Sequence, residues 1–536
     1  MPLDETTSNV LLFIMALGGT VLLELIGLRF FSWFVSHERK EGHYRAEDLS
    51  SVKPASTKLP ALGGVAALLA ISTALIVSTL LGFTDTNFRW FLLPVWSFGL
   101  IGFLDDLRKH RGQGQDERTR LVLIFIGSVI VAYVLYARMG FSVAFAPYTA
   151  ISYARVPIIW AIFWFVMASS LTTVTTLSVG FTDGIDGLLG GLWLIAAAAY
   201  AIFTTLHEAA IASDISIALA GGALGFLLLN LPSRWSAGQP SGQRRARVYL
   251  GETGALMVGG AFSMLALLSQ TEFIWFIVGG VFALEGGSAF YQAKIATRVF
   301  RRYLILAAHR DRRMDVPHTE FPLPFLATPL HAHFDLLGVS RYRIVQILWV
   351  LGAAFAAIGL WAAFANELFV KVIAWLVGVA LMLVVWRWGN WTRYVFIGFH
   401  PEENGRDRVL AIYRGKPLEF FGQKLYWLEE RLAIREAEAQ RFGLLTNLVM
   451  FRPMTMDEAR IALGYVYYRL ARYPEALATW RLVRPKSIAI RADIQAFYDD
   501  VQRRVPAPVP APSDSQPLPQ AALADAGSPL MEAARG

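Results

Sequence analysis

Asp183 and Asp186 stand three residues apart in the stretch "GFTDGIDGLLGG" (180–191), among glycines and leucines and between two long apolar runs. Two carboxylates this close repel each other unless a cation neutralises them. If a helix begins at Thr182, with Thr182 as its N-cap, both acids lie on one face. Gly184 and Gly187 then give a bulky anionic ligand close access to the backbone at the helix N-terminus. That chemistry suits magnesium and phosphate. The competing explanation is two solvated acids that complement the helix dipole.

Three further groups invite the same question. Asp105 and Asp106 close the run "GFLDDLRKH", with Lys109 one turn on; stop-transfer cations account for Arg108, Lys109 and Arg111 but do not call for adjacent acids. Glu252 in "YLGETGALMVGG" precedes Thr253 and Gly254 at the start of another apolar run, where a plain acidic N-terminal turn is the alternative. "TPLHAHFDLLG" spaces His331 and His333 by two, which aligns them in an extended loop and not on a helix. A histidine pair in a cationic loop suits anion binding; structural bystanders are the alternative.

These residues must be positioned by a membrane bundle. Of 536 residues, 55% are hydrophobic and 17% charged, which is not the composition of a soluble globular chain. The absence of cysteine excludes disulfides, thiolate metal sites and a cysteine nucleophile, so a metal must sit on oxygen or imidazole. The net charge of +8 comes from cations clustered just beyond apolar segments, a membrane-topology pattern and not a nucleic-acid footprint. The N-terminal run carries acids instead of lysines before its apolar stretch and has no small-residue cleavage site after it, so an uncleaved first span is expected.

Eleven stretches approach the roughly 20 apolar residues that a span requires: about 9–35, 61–83, 89–104, 119–137, 156–178, 187–206, 212–230, 254–269, 272–292, 343–364 and 367–388. The odd-numbered connections hold the arginines and lysines, which keeps them cytoplasmic and the N-terminus outside. That parity places all four polar groups on the cytoplasmic side, and the acids among them lie against span ends and among glycines. The expected fold class is all-α: a polytopic membrane helix bundle of about ten or eleven transmembrane helices (residues 1–392), followed by a small C-terminal cytoplasmic helical domain (393–504) and a disordered Pro/Ala-rich tail (505–536). In the extension "LYWLEERLAIREAEAQRFGLL" and "MDEARIALGYVYYRLARYPEALATWRLVRP" are amphipathic and charged. Leu463, Gly464, Tyr467, Ala476 and Trp480 are spaced like one tetratricopeptide helix pair, with an ordinary small helical bundle as the alternative.

With these segments in this order, the chain resembles the polyprenyl-phosphate N-acetylhexosamine-1-phosphate transferases over about residues 55–365. "DDLRK", "GFTDGIDGLLG", "GETGA" and "PLHAHFD" stand where the family has DDxxK, NLTDGLDGLA, GDTGS and PLHHHFE. Gly279, Gly280, Glu285, Ser288 and Gln292 look like its GG…E…S…Q pattern, and PLHxHF favours the muramoyl-pentapeptide branch.

The resemblance implies transfer of a sugar-1-phosphate from a UDP-sugar to polyprenyl phosphate, with release of UMP and with Mg2+ on the pyrophosphate, at a bacterial inner membrane. It implies that Asp105 and Asp106 engage or deprotonate the lipid phosphate, with Lys109 as a phosphate cation. Asp183 and Asp186 would organise metal and nucleotide, and Glu252 would join Asp183 as a metal ligand. Asn230 and Tyr249 would face the nucleoside, and His331 and His333 the phosphates or sugar. The implied partners are the UDP-N-acetylhexosamine donor, polyprenyl phosphate and membrane lipid, without nucleic acid; the extension offers a surface for a protein partner, and a homodimer is left open.

The pattern is broken at Glu252 (an aspartate in the family), at Leu177 and Gly180 (asparagines), at Ala332 (a histidine) and at "TKLPALGG", all that stands for a longer run before the second span. A different hexosamine donor, or an inactive relative serving as a membrane scaffold, are the alternatives these departures keep open.

Overall fold

The computed structural model describes residues 5–30, 36–40, 56–60, 63–84, 86–110, 117–139, 158–231, 246–296, 325, 327–337, 339–392, 394–401, 408–420, 423–441, 456–483 and 492–504. The Pro/Ala-rich tail and most of the cationic connections lie outside them. The chain divides into two compact units, residues 1–395 with 414–427, and residues 396–413 with 428–536.

In the first unit, helices run over Glu5–Phe30 (α1), Gly63–Leu80 (α2), Arg89–His110 (α3), Glu117–Met139 (α4), Ile158–Thr182 (α5), Leu188–Leu206 (α6), Ala210–Asn230 (α7) and Gly251–Leu268 (α8). They continue as Glu272–Val278 (α9), Gly280–Phe290 (α10), Leu330–Leu336 (α11), Arg341–Phe364 (α12) and Leu368–Thr392 (α13). Among the described residues ten helices are long and apolar enough to span a membrane. The segment expected as one ninth span is a broken pair, Glu272–Val278 and Gly280–Ile295, bent by 81°. An antiparallel strand pair, Ser36–Lys40 (β1) with Ser56–Pro60 (β2), holds the first four residues of the "TKLPALGG" stretch.

The bundle is built around α8, whose side chains are buried almost throughout, with α3 and α5 packed along it. Close helix approach needs small residues where backbones meet. At Gly102 a Cβ would run into the carbonyl of Glu252, so only glycine lets α3 lie against the first turn of α8. That contact brings the acids one turn further along α3 to the N-terminus of α8.

Two local expectations are corrected here. Thr182 does not cap a helix; it is the last residue of α5, its hydroxyl spent on the Ser178 carbonyl at 2.9 Å. Asp183 and Asp186 therefore occupy the turn between α5 and α6, not the first turn of a helix. That turn closes at Gly187, whose φ of +83° is left-handed and suits glycine. Nor are His331 and His333 in an extended loop: both are on α11, which starts after Pro329, and proline is favoured at helix starts because its missing N–H is not needed there.

Beyond the last span the chain is not purely helical. Val395–Pro401 (β3), Arg408–Phe420 (β4) and Gln423–Arg435 (β5) form a three-stranded sheet in that order. Leu432 and Ile434 are buried while Ala433 is exposed, the period-two alternation of a strand, which is why "LYWLEERLAIR" is extended. Glu436–Arg441 forms a short helix (α14). In the second unit, Met456–Arg469 (α15) and Tyr473–Arg481 (α16) make the expected helix pair. Leu463, Gly464, Tyr467, Ala476 and Trp480 are all buried in it, and the Trp480 indole lies on Gly464 and donates to the Ile461 carbonyl at 3.2 Å. A third helix, Ala492–Arg504 (α17), packs on that pair.

Candidate active site

The acids at the end of α3 have different duties. Asp106 is spent on the N-terminus of α8: its Oδ1 accepts the Glu252 N–H at 3.1 Å, and its Oδ2 accepts the Thr253 N–H at 3.0 Å and the Thr253 hydroxyl at 2.8 Å. A helix N-terminus leaves unpaired N–H groups, and here a carboxylate from another helix satisfies two of them. Asp105 instead holds Lys109, its neighbour one turn on, at 2.8 Å. Lys109 also reaches Glu252 Oε1 at 2.8 Å, and Arg120, in the first turn of α4, reaches the same oxygen at 2.9 Å. Glu252 is thus a carboxylate held between two cations, with 13% of its side chain exposed. Arg120 was missed in the sequence because its charge was absorbed into the topology argument; the signal was a cation opening the span immediately after the acidic pair.

The second acidic pair is more open. Asp183 and Asp186 are partly exposed, and Asp186 Oδ2 accepts the Ala246 N–H at 3.2 Å. Asn230, buried at the end of α7, accepts the Gly187 N–H at 2.7 Å and donates to the Val248 carbonyl at 2.9 Å. Its amide therefore ties this turn to the segment leading into α8. Tyr249 is buried in a small cluster with Leu229 and Val248, next to Val21 and Leu28 of α1. The six residues from Ala246 to Gly251 thus run from Asp186, past Asn230 and Tyr249, directly to Glu252.

The histidines split. His331 takes a place against the turn: a Cβ on Gly184 would strike its Nε2, so glycine is what admits the ring. Glu285 of α10, fully buried, accepts both the His331 backbone N–H at 3.1 Å and its Nδ1 at 3.0 Å. A carboxylate can only accept, so the proton sits on Nδ1 and the ring is oriented with Nε2 toward Gly184. Gln292 accepts the Phe325 N–H at 2.9 Å, fastening the chain just before α11. His333 is directed elsewhere, to the Thr392 hydroxyl at 2.9 Å, and does not join the acids.

Magnesium prefers oxygen donors and is commonly held by one or two carboxylates together with ligand phosphates. Asp183 and Asp186, partly exposed on one turn, fit that donor set. Glu252 fits it less well, because Lys109 and Arg120 already hold the oxygen it would offer. Among the described residues no cluster of three or more His, Asp or Glu stands ready to enclose a metal ion, so a cation here would need the ligand's oxygens as well.

The fold is a polytopic membrane helix bundle in which two acid pairs, Glu252, Lys109 and Arg120 lie at helix ends, and the family comparisons put it among the membrane-embedded phosphosugar transferases. The model of glycosyl transferase family 4 matches residues 88–270. The chain is similar to phospho-N-acetylmuramoyl-pentapeptide-transferase of Geobacillus kaustophilus, 31% identical over 310 residues, covering 56% of this chain and 83% of that protein. It is 28% identical to the protein of the same name from Oceanobacillus iheyensis over 375 residues, 67% of this chain and 98% of the relative. It is 30% identical to that of Bacillus subtilis over 314 residues, 56% and 83% of the two chains. The chain belongs to the phospho-N-acetylmuramoyl-pentapeptide-transferase family, and it is a multi-pass bacterial membrane protein.

Proposed function

We propose that the protein transfers a phospho-N-acetylhexosamine, with phospho-N-acetylmuramoyl-pentapeptide as the first donor to test, from its UDP-sugar to polyprenyl phosphate, at the cytoplasmic face and with release of UMP. One observation carries this reading: the segment Ala246–Thr253 is hydrogen-bonded at one end to Asp186 and at the other to Asp106. Two acid pairs from distant parts of the chain are thereby joined at one end of the bundle.

In this reaction an oxygen of the lipid phosphate attacks the sugar-bearing phosphorus, a P–O bond forms there, and the bond to the UMP oxygen breaks with the electron pair leaving on UMP. Both reactants are anions, so the site must supply cations and exact placement more than covalent chemistry. Lys109 and Arg120 are the protein's own cations for the phosphates; Asp105 and Glu252 hold them in place. Asp106 fixes the first turn of α8 and thereby Glu252. His331, its ring set by Glu285, presents Nε2 beside Gly184 to the donor. Asp183 and Asp186 would hold Mg2+, which when bound would neutralise charge on the pyrophosphate. Asn230 and Tyr249 border the nucleoside side.

A second reading, a relative that keeps the fold as a scaffold without turnover, is favoured by the two ion pairs that close Glu252. Purified protein in lipid nanodiscs, given radiolabelled UDP-N-acetylhexosamines including UDP-N-acetylmuramoyl-pentapeptide, polyprenyl phosphate and Mg2+, is expected to form labelled lipid and UMP. If donor and acceptor both bind and no donor is turned over, the scaffold reading replaces this one. For sidedness, a reporter fused after Gly443 should be active only in its cytoplasmic form.

A further inference from the structure

α11 has seven residues, too few to hold a helix by its own hydrogen bonds. What fixes it is tertiary contact, and that contact comes from two opposite sides. Residues two apart on a helix point about 200° apart, so His331 and His333 face different partners. His331 is held by Glu285. On the other side His333, fully buried, meets Thr392, the last residue of α13. The Thr392 hydroxyl already donates to the Gly389 carbonyl at 2.8 Å, so its oxygen accepts from His333 and the proton of that ring sits on Nε2. The Thr392 carbonyl in turn accepts from Arg414 Nη1 at 3.2 Å. Arg414 is a buried residue of β4, beyond the last span. A guanidinium on the final carbonyls of a helix satisfies groups that the helix itself cannot and complements its dipole.

Packing reinforces the bond. Phe325 stands edge-on to both His333 and Trp386, Phe334 packs on Trp388, and Gly389 accommodates Leu330 and Phe325. A continuous path therefore runs from Arg414 through Thr392 and His333, along less than one turn of α11, to His331 and Gly184.

We infer that Thr392 and Arg414 are positioning residues for His331, so that the polypeptide beyond the last span is part of the scaffold of the active site. Neither touches the donor; each acts through α11. The inference rests on the proposed function in one respect only, that His331 faces the donor phosphates. A displacement of its ring by about 1 Å is enough to cost on the order of a hundredfold in rate.

The test is Thr392→Val, which keeps the shape and leaves His333 Nε2–H without an acceptor, beside Thr392→Ser, which restores one. Two readouts are taken on the full-length protein in nanodiscs: kcat and KM for the UDP-sugar, and the 15N ring signals of His331, assigned by comparison with His331→Gln. Thr392→Val is expected to lower kcat/KM at least tenfold and to move the His331 ring signals, with Thr392→Ser close to wild type. Arg414→Met is expected to produce the same shift in smaller measure. Should Thr392→Val not fold, His333→Phe removes the donor from the other side and His333→Gln supplies a replacement N–H. Unchanged His331 signals in the variants that remove the bond overturn the inference. If the wild type binds substrates without turnover, transfer fails as a reading, and the ring signals still decide whether Thr392 and Arg414 position His331.

Discussion

Two pairs of aspartates, both prominent in the sequence, end up in opposite physical situations. Asp105 and Asp106 are almost completely buried and each is committed, one to a lysine and one to the first turn of α8. Asp183 and Asp186 lie on a turn, partly exposed. A buried carboxylate survives only when hydrogen bonds or counter-charges replace the water it has lost. A partly exposed one keeps water on one side: Asp186 accepts the Ala246 N–H and still has a face toward solvent. Under the proposed function, the first pair would build the site and the second would receive what enters it.

The comparison breaks most visibly at Asp106. Asp106→Ala removes the acceptor of two backbone N–H groups and a hydroxyl, leaving them buried, and bonds to a charged group are worth about 1.5–3 kcal/mol each. A loss of about 3 kcal/mol or more of stability is expected, read as a lowered midpoint in detergent unfolding, with transfer lost alongside it. A variant that unfolds like wild type would move Asp106 out of the scaffold.

Asp183→Asn should behave in the converse way. The turn is already closed by Gly187 and tied down by Asn230, so the unfolding midpoint is expected to stay within error. Transfer is expected to fall at least about a hundredfold, because under the proposed function Asp183 would hold the cation that neutralises the pyrophosphate, and loss of such charge stabilisation costs about that much. An equal loss of stability and activity at both aspartates would erase the distinction between the pairs.

How much of this was legible beforehand follows the same divide. The spans were readable because membrane length and apolar composition are properties of whole segments, and the acidic motifs fell at span ends as expected, while the histidine motif lies on the short helix α11. What the sequence could not convey was direction over one or two residues. Thr182 has the composition of an N-cap, yet threonine can equally bond back to the carbonyl four residues earlier, and here it does. A spacing of two aligns His331 and His333 only if the segment is an extended loop, whereas Pro329 in front of them is a helix-start signal. Arg120 joins the site through tertiary packing of α4 against α3, and its position opening the span after the acidic pair is the one local sign of it. The strands after Thr392 were hidden by charged residues that also suit an amphipathic helix, and only the alternation at Leu432 and Ile434 separates the two.

Glu252 sharpens the comparison, since it belongs to the buried side by its partners and to the ligand side by its partial exposure. Glu252→Gln removes the shared counter-charge of Lys109 and Arg120. In an otherwise unchanged site the two cations would then repel one another, and a double-mutant cycle between Glu252→Gln and Arg120→Met is expected to give a coupling of about 1–3 kcal/mol. In transfer assays Glu252→Gln should weaken activity less than Asp183→Asn, because the carboxylate acts here through the cations it holds. A coupling near zero would mean that Glu252 and Arg120 do not act together, and a loss exceeding that of Asp183→Asn would return Glu252 to the role of a metal ligand.

The smallest effect is expected at Gly180, one of the positions where the family pattern has asparagine. A Cβ there would meet only Leu256 Cδ2, at 3.7 Å, which is ordinary contact, whereas Gly102 on the scaffold side has no such room. Glycine within a helix is also disfavoured relative to asparagine by a few tenths of a kcal/mol. Gly180→Asn is therefore expected to leave stability unchanged or raised by about 0.3 kcal/mol, while Gly102→Ala must push α3 from α8 and with it Asp106 from the Thr253 N–H. Leu177→Asn differs again, because Leu177 packs against the hydrophobic core and an amide there loses that contact, for about 1–3 kcal/mol. If Gly180→Asn also changes KM for the UDP-sugar without changing kcat for the lipid acceptor, the room beside the turn belongs to donor recognition. If it destabilises the protein by more than about 1 kcal/mol, the end of α5 is packed as tightly as the end of α3, and the contrast between the two acid pairs fails at its structural root.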